Sequence, residues 1–308
     1  MTALTRMICP WRLRTRALEL GRRTQVMGVV NVTPDSFSDG GSFFDSAAAV
    51  AHALALLDEG ADLLDLGAES TRPGSRAGGA IGSETAPAVS ADEEQARLLP
   101  VLKGILAARP DAVVSVDTYK ASTARAALAA GAEIINDVSG LFWDFGLAPV
   151  CAEFGCGVVL MHTRGRPEEW RAQPQLEPDA LLDDVRAGLA ASMEMAARAG
   201  IAAERIVLDP GYGFGKRLDE NYALLARQAE LLALGRPLLA GLSRKSFLGR
   251  TLAPLHGGQD APVEARETAS VAALVAAILQ GASIVRVHSV RAAVEAARIA
   301  DAVLAARP

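Results

Sequence analysis

No part of this 308-residue chain is apolar for long: the longest purely apolar run, Val271–Leu279, falls far short of the roughly 20 residues a membrane-spanning helix requires. Positive charge is not in excess either. Charged residues make up 22% of the chain and the net charge is −5, so no broad basic face is left to follow a nucleic-acid backbone. The expected partner is therefore a small molecule, not a membrane or a nucleic acid. Cysteine is scarce. Cys9, Cys151 and Cys156 are odd in number, and the last two lack the spacing or neighbouring histidines of a zinc site. They read as packing residues in a reducing compartment, which makes the cytoplasm the expected location. The N-terminus carries Arg6, Arg12, Arg14, Arg16, Arg22 and Arg23 but no apolar segment of the kind a secretory signal needs. Organelle-targeting segments are also Arg-rich, yet the alternation Trp11, Leu13, Thr15, Ala17 argues instead for a half-buried strand followed by a turn near Gly21.

What the chain does have is apolar residues, 50% of the total, in a repeating order. β-Branched-rich runs recur at Gln25–Val30, Leu63–Leu66, Ala112–Val116, Glu133–Ile135, Gly157–Met161, Arg205–Leu208, Pro237–Leu242 and Ser283–Val287. Between and after them, helical periodicity covers Ser46–Glu59, Asp92–Ala108, Ser122–Ala130, Leu147–Phe154, Asp179–Ala199, Glu220–Leu234, Arg266–Gln280 and Arg291–Ala305. Strands this continuously apolar need cover on both faces, which parallel strands alternating with helices provide. Glycine recurs at the joints Gly60-Ala61-Asp62, Gly131-Ala132-Glu133 and Gly281-Ala282-Ser283, where a left-handed helix stop is expected. The pattern leaves a doubly wound sheet open, but eight modules favour a closed (β/α)₈ TIM barrel, here one domain over residues 1–308 with an N-terminal β-hairpin within 1–24.

Candidate chemistry collects at the carboxyl ends of the apolar runs, where barrel active sites form. In order stand Asn31, Glu69 with Ser70, Thr71 and Arg72, Asp117, Asn136 with Asp137, His162, Asp209, Ser243 with Arg244 and Lys245, and Arg286 with His288. Asp or Asn after a strand can also simply cap the next helix. For Asp117, Thr118 or Ser122 could cap instead, and Asp209 precedes Pro210 and a glycine-rich loop, so no helix begins there for it to cap. The run Gly211-Tyr212-Gly213-Phe214-Gly215-Lys216 matches neither the dinucleotide fingerprint nor the P-loop. His162 has no partner at metal-ligand spacing and reads as a satisfied or solvent-facing histidine.

Several stretches together resemble the dihydropteroate synthase family: MGVVNVTPDSFSDGG (27–41), ESTRPGS (69–75), SVDTYK (115–120), IINDVSG (134–140), VLMH (159–162), LDPGYGFGK (208–216), SRKSFLG (243–249) and RVH (286–288). They span nearly the whole chain in the family's order. The resemblance implies a barrel, usually a homodimer, that joins a pterin diphosphate to 4-aminobenzoate with Mg²⁺ and releases pyrophosphate, and that sulfonamides inhibit. By motif, Asp117, Asn136, Asp209 and Lys245 look like the groups holding the pterin ring. A carboxylate such as Asp209 can accept the paired amine and ring N–H of an aminopyrimidinone, Lys245 can donate to the ring carbonyl, and Arg286 can lie against the ring face. Arg72, Arg286 and His288, with Asn31 for the metal, resemble the diphosphate site. Thr71 and Met161 complete the implied contacts, with Phe37, Pro73 and Phe214 shaping the acceptor's pocket. Ser246, at the expected start of a helix, would either receive the 4-aminobenzoate carboxylate or simply cap that helix.

The resemblance also implies that the loops 31–44 and 69–75 close over the diphosphate. Departures from the family pattern are Ala68 in Gly67-Ala68-Glu69-Ser70, Thr163-Arg164-Gly165 after His162, Ser289 after His288, and a long 76–90 stretch that reads as a flexible insert. A pterin-binding methyltransferase and a non-catalytic pterin-binding homologue are the alternatives, and the TPDSFSDGG, SRKS and RVH elements favour the synthase.

Overall fold

The computed structural model describes residues 6–33, 45–69 and 89–306. The chain opens with an antiparallel hairpin of β1 (Cys9–Arg12) and β2 (Ala17–Leu20). There follow β3 (Gln25–Asn31), α1 (Ser46–Asp58), β4 (Leu63–Gly67), α2 (Ala91–Ala108), β5 (Val114–Asp117), α3 (Ala121–Ala129), β6 (Ile134–Asp137), α4 (Leu147–Phe154) and β7 (Gly157–Met161). The remainder is α5 (Pro178–Arg198), β8 (Ile206–Asp209), α6 (Leu218–Arg227), β9 (Leu238–Ala240), α7 (Ser246–Thr251), α8 (Glu267–Leu279), β10 (Ala282–Val287) and α9 (Val290–Ala305). Strands β3 to β10 form a closed parallel barrel, and β10 completes the ring by pairing with β3, Ile284 opposite Gln25. Among the described residues, no helix is long and apolar enough to cross a membrane.

Alternation along each strand divides the core in two. Side chains of one parity face the helices and join the large outer cluster, in which Val30, Leu64, Leu66, Val116, Ile135, Leu160 and Leu208 meet helix residues such as Leu98 and Leu189. The other parity faces the barrel axis. Met27, Leu63, Val113, Ile134, Val159, Val207, Leu239 and Ile284, one from the start of each barrel strand or just before it, form an apolar ring, and Trp11, Leu13 and Leu20 of the hairpin pack against it. The hairpin therefore seals the amino-terminal end of the barrel. The indole of Trp11 donates to the Arg205 carbonyl at 2.8 Å, and Arg14 Nε donates to the Ala132 carbonyl at 2.9 Å.

The expected strand through Thr15 and Ala17 is in fact broken. Leu13 N–H bonds to the Arg16 carbonyl at 2.8 Å, so the hairpin turn lies at Leu13–Arg16 and Gly21 leads into the barrel. Glu133 accounts for the difference, because its carboxylate accepts both the N–H and the hydroxyl of Thr15 and pins the turn to the start of β6. The stretch read as one helix to Leu234 tightens at Gln228–Leu234 into a 3-10 segment. Short α7 is too brief to show periodicity in sequence. Gly60, Gly131 and Gly281 have φ of +105°, +114° and +93°, as helix stops of this kind require. All three cysteines are free, with Cys151 and Cys156 buried.

Candidate active site

Two residues beyond the apolar ring, the same alternation aims Val29, Asp65, Ser115, Asn136, Met161, Asp209, Gly241 and Arg286 along the barrel axis. One layer changes from wholly apolar to largely polar. Its floor is the ring just described, and three of its polar groups are enclosed by the strands, Asp65 0% exposed, Asn136 4% and Asp209 6%, while Arg286 is half-buried.

Asp65 joins the layer across the barrel. Its Oδ2 accepts from Arg286 Nε at 2.5 Å and from Asn136 Nδ2 at 3.0 Å, while Oδ1 has no hydrogen-bond partner. Ser115 Oγ, in the same layer, is likewise buried and unpaired. Arg286 turns its second edge to Asp117, Nη2 to Oδ2 2.8 Å. Two carboxylates thus share one guanidinium. Burial is the main reason the Asp117 carboxyl is pushed up to about 7, with Arg286 opposing and Asp65 adding to the rise. Burial works against the Arg286 charge, but the carboxylates outweigh it and hold its pKa above the ordinary value. Asp117 caps nothing: α3 begins after Lys120, and Asp144 accepts the Ala121 N–H at 2.8 Å. Asp65 gives no signal of this kind in the sequence, because it stands inside the apolar run Leu63–Leu66 and not at its end.

Asp209 ends β8, and its Oδ1 accepts from Gly211 N–H at 2.7 Å. Burial raises its pKa, against that backbone bond and the pull of Lys245 and Arg286. Lys245, at the N-cap of α7, lies with Nζ 4.0 Å from the Phe214 ring centre, and burial lowers its pKa to about 8. Phe214 meets Trp170 edge-on at 5.1 Å and belongs with Tyr119, Val138, Met161 and Trp170 to a separate apolar cluster at this end of the barrel. The structure therefore brings Asp117, Asn136, Met161, Asp209, Phe214, Lys245 and Arg286 together.

His288 lies one layer further out, its Nδ1 3.0 Å from Ser243 Oγ, which also accepts the His288 N–H at 3.2 Å. Asn31 ends β3 opposite Gly67, half-buried. Ser246 is exposed and is the first residue of α7; Lys245 occupies the cap, so the capping role considered for Ser246 does not hold. Phe37, Ser70, Thr71, Arg72 and Pro73 lie outside the described residues, as do 76–88 of the expected insert. At its end, Ser90 caps α2 by accepting the Glu93 N–H at 3.2 Å, and Val89 N–H donates to Glu69 Oε1 at 3.3 Å. Glu69 Oε2 in turn pairs with Lys120 at 2.5 Å, and Lys120 reaches Glu94 at 3.3 Å, so one ion cluster joins the two ends of the 70–88 segment. His162 corrects the expectation of a satisfied or solvent-facing ring. It is buried, Nδ1 has no partner, Nε2 is 3.5 Å from Asp184, and burial pushes its pKa well down. Among the described residues no group of three His, Cys, Asp or Glu could hold a metal.

The pterin binding enzyme family model matches residues 27–288. The dihydropteroate synthase of Mycobacterium leprae is 45% identical over 92% of this chain and 95% of the relative. Among solved structures, Xanthomonas albilineans dihydropteroate synthase with 4-aminobenzoic acid superimposes with a TM-score of 0.83 at 41% identity, covering 98% of this chain and 100% of that one. The Yersinia pestis dihydropteroate synthase in a sulfonamide drug complex gives 0.84 at 41% identity, over 97% and 100%.

Proposed function

The chain belongs to the pterin-binding enzyme family and aligns along nearly its whole length with dihydropteroate synthases, and on that footing we propose that it condenses 6-hydroxymethyl-7,8-dihydropterin diphosphate with 4-aminobenzoate. The observation that carries this reading is the enclosed polar layer above an apolar floor. With Asp117 and Lys245 at its rim, it offers Asp65, Asp117 and Asp209 as acceptors, Asn136 with both functions, and Arg286 and Lys245 as donors, which suits the flat, donor-rich edge of an aminopyrimidinone.

In this reading Asp209 Oδ2 and its neighbours hold the pterin, and Lys245 leaves Phe214 to donate to the ring carbonyl. Arg286, with Arg72 and His288, faces the diphosphate. Thr71 and Met161 complete the substrate contacts. The pterin methylene C–O bond breaks, the diphosphate leaves with the electron pair, and the arylamine forms the new C–N bond and then loses a proton. Fixed positive charge near the departing oxygens lowers the barrier, and no nucleophilic side chain is required. Phe214 forms one wall of the acceptor's pocket, and Ser246 donates to its carboxylate.

Asn31 contributes an amide oxygen of the hard type Mg²⁺ prefers. Because Mg²⁺ is commonly held by one or two protein oxygens together with substrate phosphates, the site fits an ion that arrives with the diphosphate and neutralises its charge. The solved relative with a sulfonamide supports competition between such drugs and 4-aminobenzoate here. We also assign a homodimer, formed through α8 and α9. On α8, Val271, Ala272, Val275, Ala276 and Leu279 lie on the side left half-buried or exposed, and Ile299 and Val303 of α9 are 68% and 48% exposed. A helix apolar all round asks for cover by a second copy, and sedimentation equilibrium reads the outcome. Three free cysteines suit the reducing cytoplasm.

The test is direct. Purified protein with pterin diphosphate, 4-aminobenzoate and Mg²⁺ is expected to release pyrophosphate only when both organic substrates are present, with sulfonamides competing against 4-aminobenzoate. Absence of 4-aminobenzoate-dependent release refutes the reading.

A further inference from the structure

Lys216 ends the glycine-rich loop after β8, and the chemistry above makes no use of it. Its side chain folds back under its own loop and is buried. Nζ donates to the carbonyls of Gly211 at 2.8 Å, Phe214 at 3.3 Å and His162 at 3.3 Å. An ammonium has three N–H donors and no acceptor, so these three oxygens satisfy it completely. They come from two strand ends, His162 after β7 and the other two after β8. The backbones approach so closely that a Cβ on Gly211 would lie 1.8 Å from the His162 oxygen, and Gly211 has φ +70°. Three peptide dipoles consequently point their negative ends at one buried spot, an arrangement that needs a cation between them.

Two groups of the proposed substrate site hang from this cage. The Gly211 N–H fixes Asp209 Oδ1, and the Phe214 ring lies beneath the Lys245 ammonium. The helix side is tied as well: Asn221 Oδ1 accepts the Gly213 N–H at 2.7 Å, and its Nδ2 donates to the Lys216 carbonyl at 3.1 Å.

We propose that Lys216 is a positioning residue whose ammonium, caged by the His162, Gly211 and Phe214 carbonyls, sets Asp209 and Phe214 in one fixed relation and so couples the pterin and acceptor subsites. The proposal rests on the synthase reading. Burial brings the Lys216 pKa down to about 7, opposed by Asp209 and Asp184 and aided by Arg164 and Lys245. Assays therefore run at pH 6.5, where the ammonium predominates.

Wild-type turnover comes first; if it fails, the synthase reading fails and not this one. With an active wild type, Lys216→Met is expected to raise both the pterin Kd by calorimetry and the 4-aminobenzoate KM by about tenfold, as loss of charge-assisted bonds implies. In a Phe214→Ala background the same substitution should raise that KM by less than about threefold, because the wall it positions is already gone. Lys216→Gln keeps two N–H donors without the charge and serves if the Met variant does not fold, with smaller rises of the same two constants. A change in melting temperature with both constants unchanged, or an equal KM effect in both backgrounds, overturns the proposal.

Discussion

Replacing Asp117 by Asn should weaken pterin binding and yet stabilise the ligand-free protein at alkaline pH. Two carboxylates, Asp65 and Asp117, face one guanidinium, so Arg286 keeps its bond to Asp65 Oδ2 at 2.5 Å when Asp117 is neutral. The Asp117 carboxyl is raised from 3.8 to about 7. A carboxyl that binds its proton more tightly in the folded than in the unfolded chain contributes stability that is complete below the unfolded pKa and is lost as pH rises through the folded one. Roughly three pH units at 1.36 kcal/mol each set a ceiling of about 4 kcal/mol, and the shared guanidinium brings the expectation nearer 2 kcal/mol. An Asn at this position is neutral throughout and does not lose that contribution. Calorimetric melting of Asp117→Asn should match the wild type near pH 3.5, below the ordinary value of 3.8, and exceed it by roughly 3–6 °C at pH 8. Titration calorimetry with the pterin should meanwhile show affinity reduced by about tenfold or more. A variant that melts lower than the wild type at pH 8, or by the same offset at both pH values, refutes the charge accounting.

Asp209→Asn should reduce pterin affinity on the order of a hundredfold in calorimetry: the Gly211 N–H holds the amide oxygen, which leaves the new NH₂ pointing at ring donors, and an unchanged Kd removes Asp209 from the site. Ser246→Ala should raise the 4-aminobenzoate KM severalfold without changing pterin affinity, since one hydrogen bond to a carboxylate at an exposed position is worth roughly 1–1.5 kcal/mol. Because Ser246 caps nothing, melting should be unaffected; a normal KM takes it out of the acceptor site. Joining residue 75 to Val89 by a short linker should leave the melting temperature nearly unchanged, because loop length adds entropy slowly; a large loss would mean that residues 76–88 pack on the barrel.

Much of the barrel was written in the sequence. Eight apolar runs, the intervening helical periodicity and the joint glycines Gly60, Gly131 and Gly281 are local signals, and each module buries its own hydrophobic faces against its neighbours. The ends of those runs also marked Asp117, Asn136, Asp209 and Arg286, since parallel closure puts every strand's carboxyl end on one face. Counting by twos from Leu63 would have reached Asp65 as well, because an acid at an axis-facing position of a buried strand must find a cation. What no local pattern contains is which charges meet. Arg286 and Asp65 are 221 residues apart, and Lys216 finds His162 across two strand ends. The turn at Leu13–Arg16 depends on Glu133, 118 residues away from Thr15. Sequence periodicity determined the modules and the face of the barrel that carries the polar groups. Only the closed ring decided their pairing, and with it their pKa values and orientation, because burial and through-space charge depend on neighbours that the chain's order does not specify.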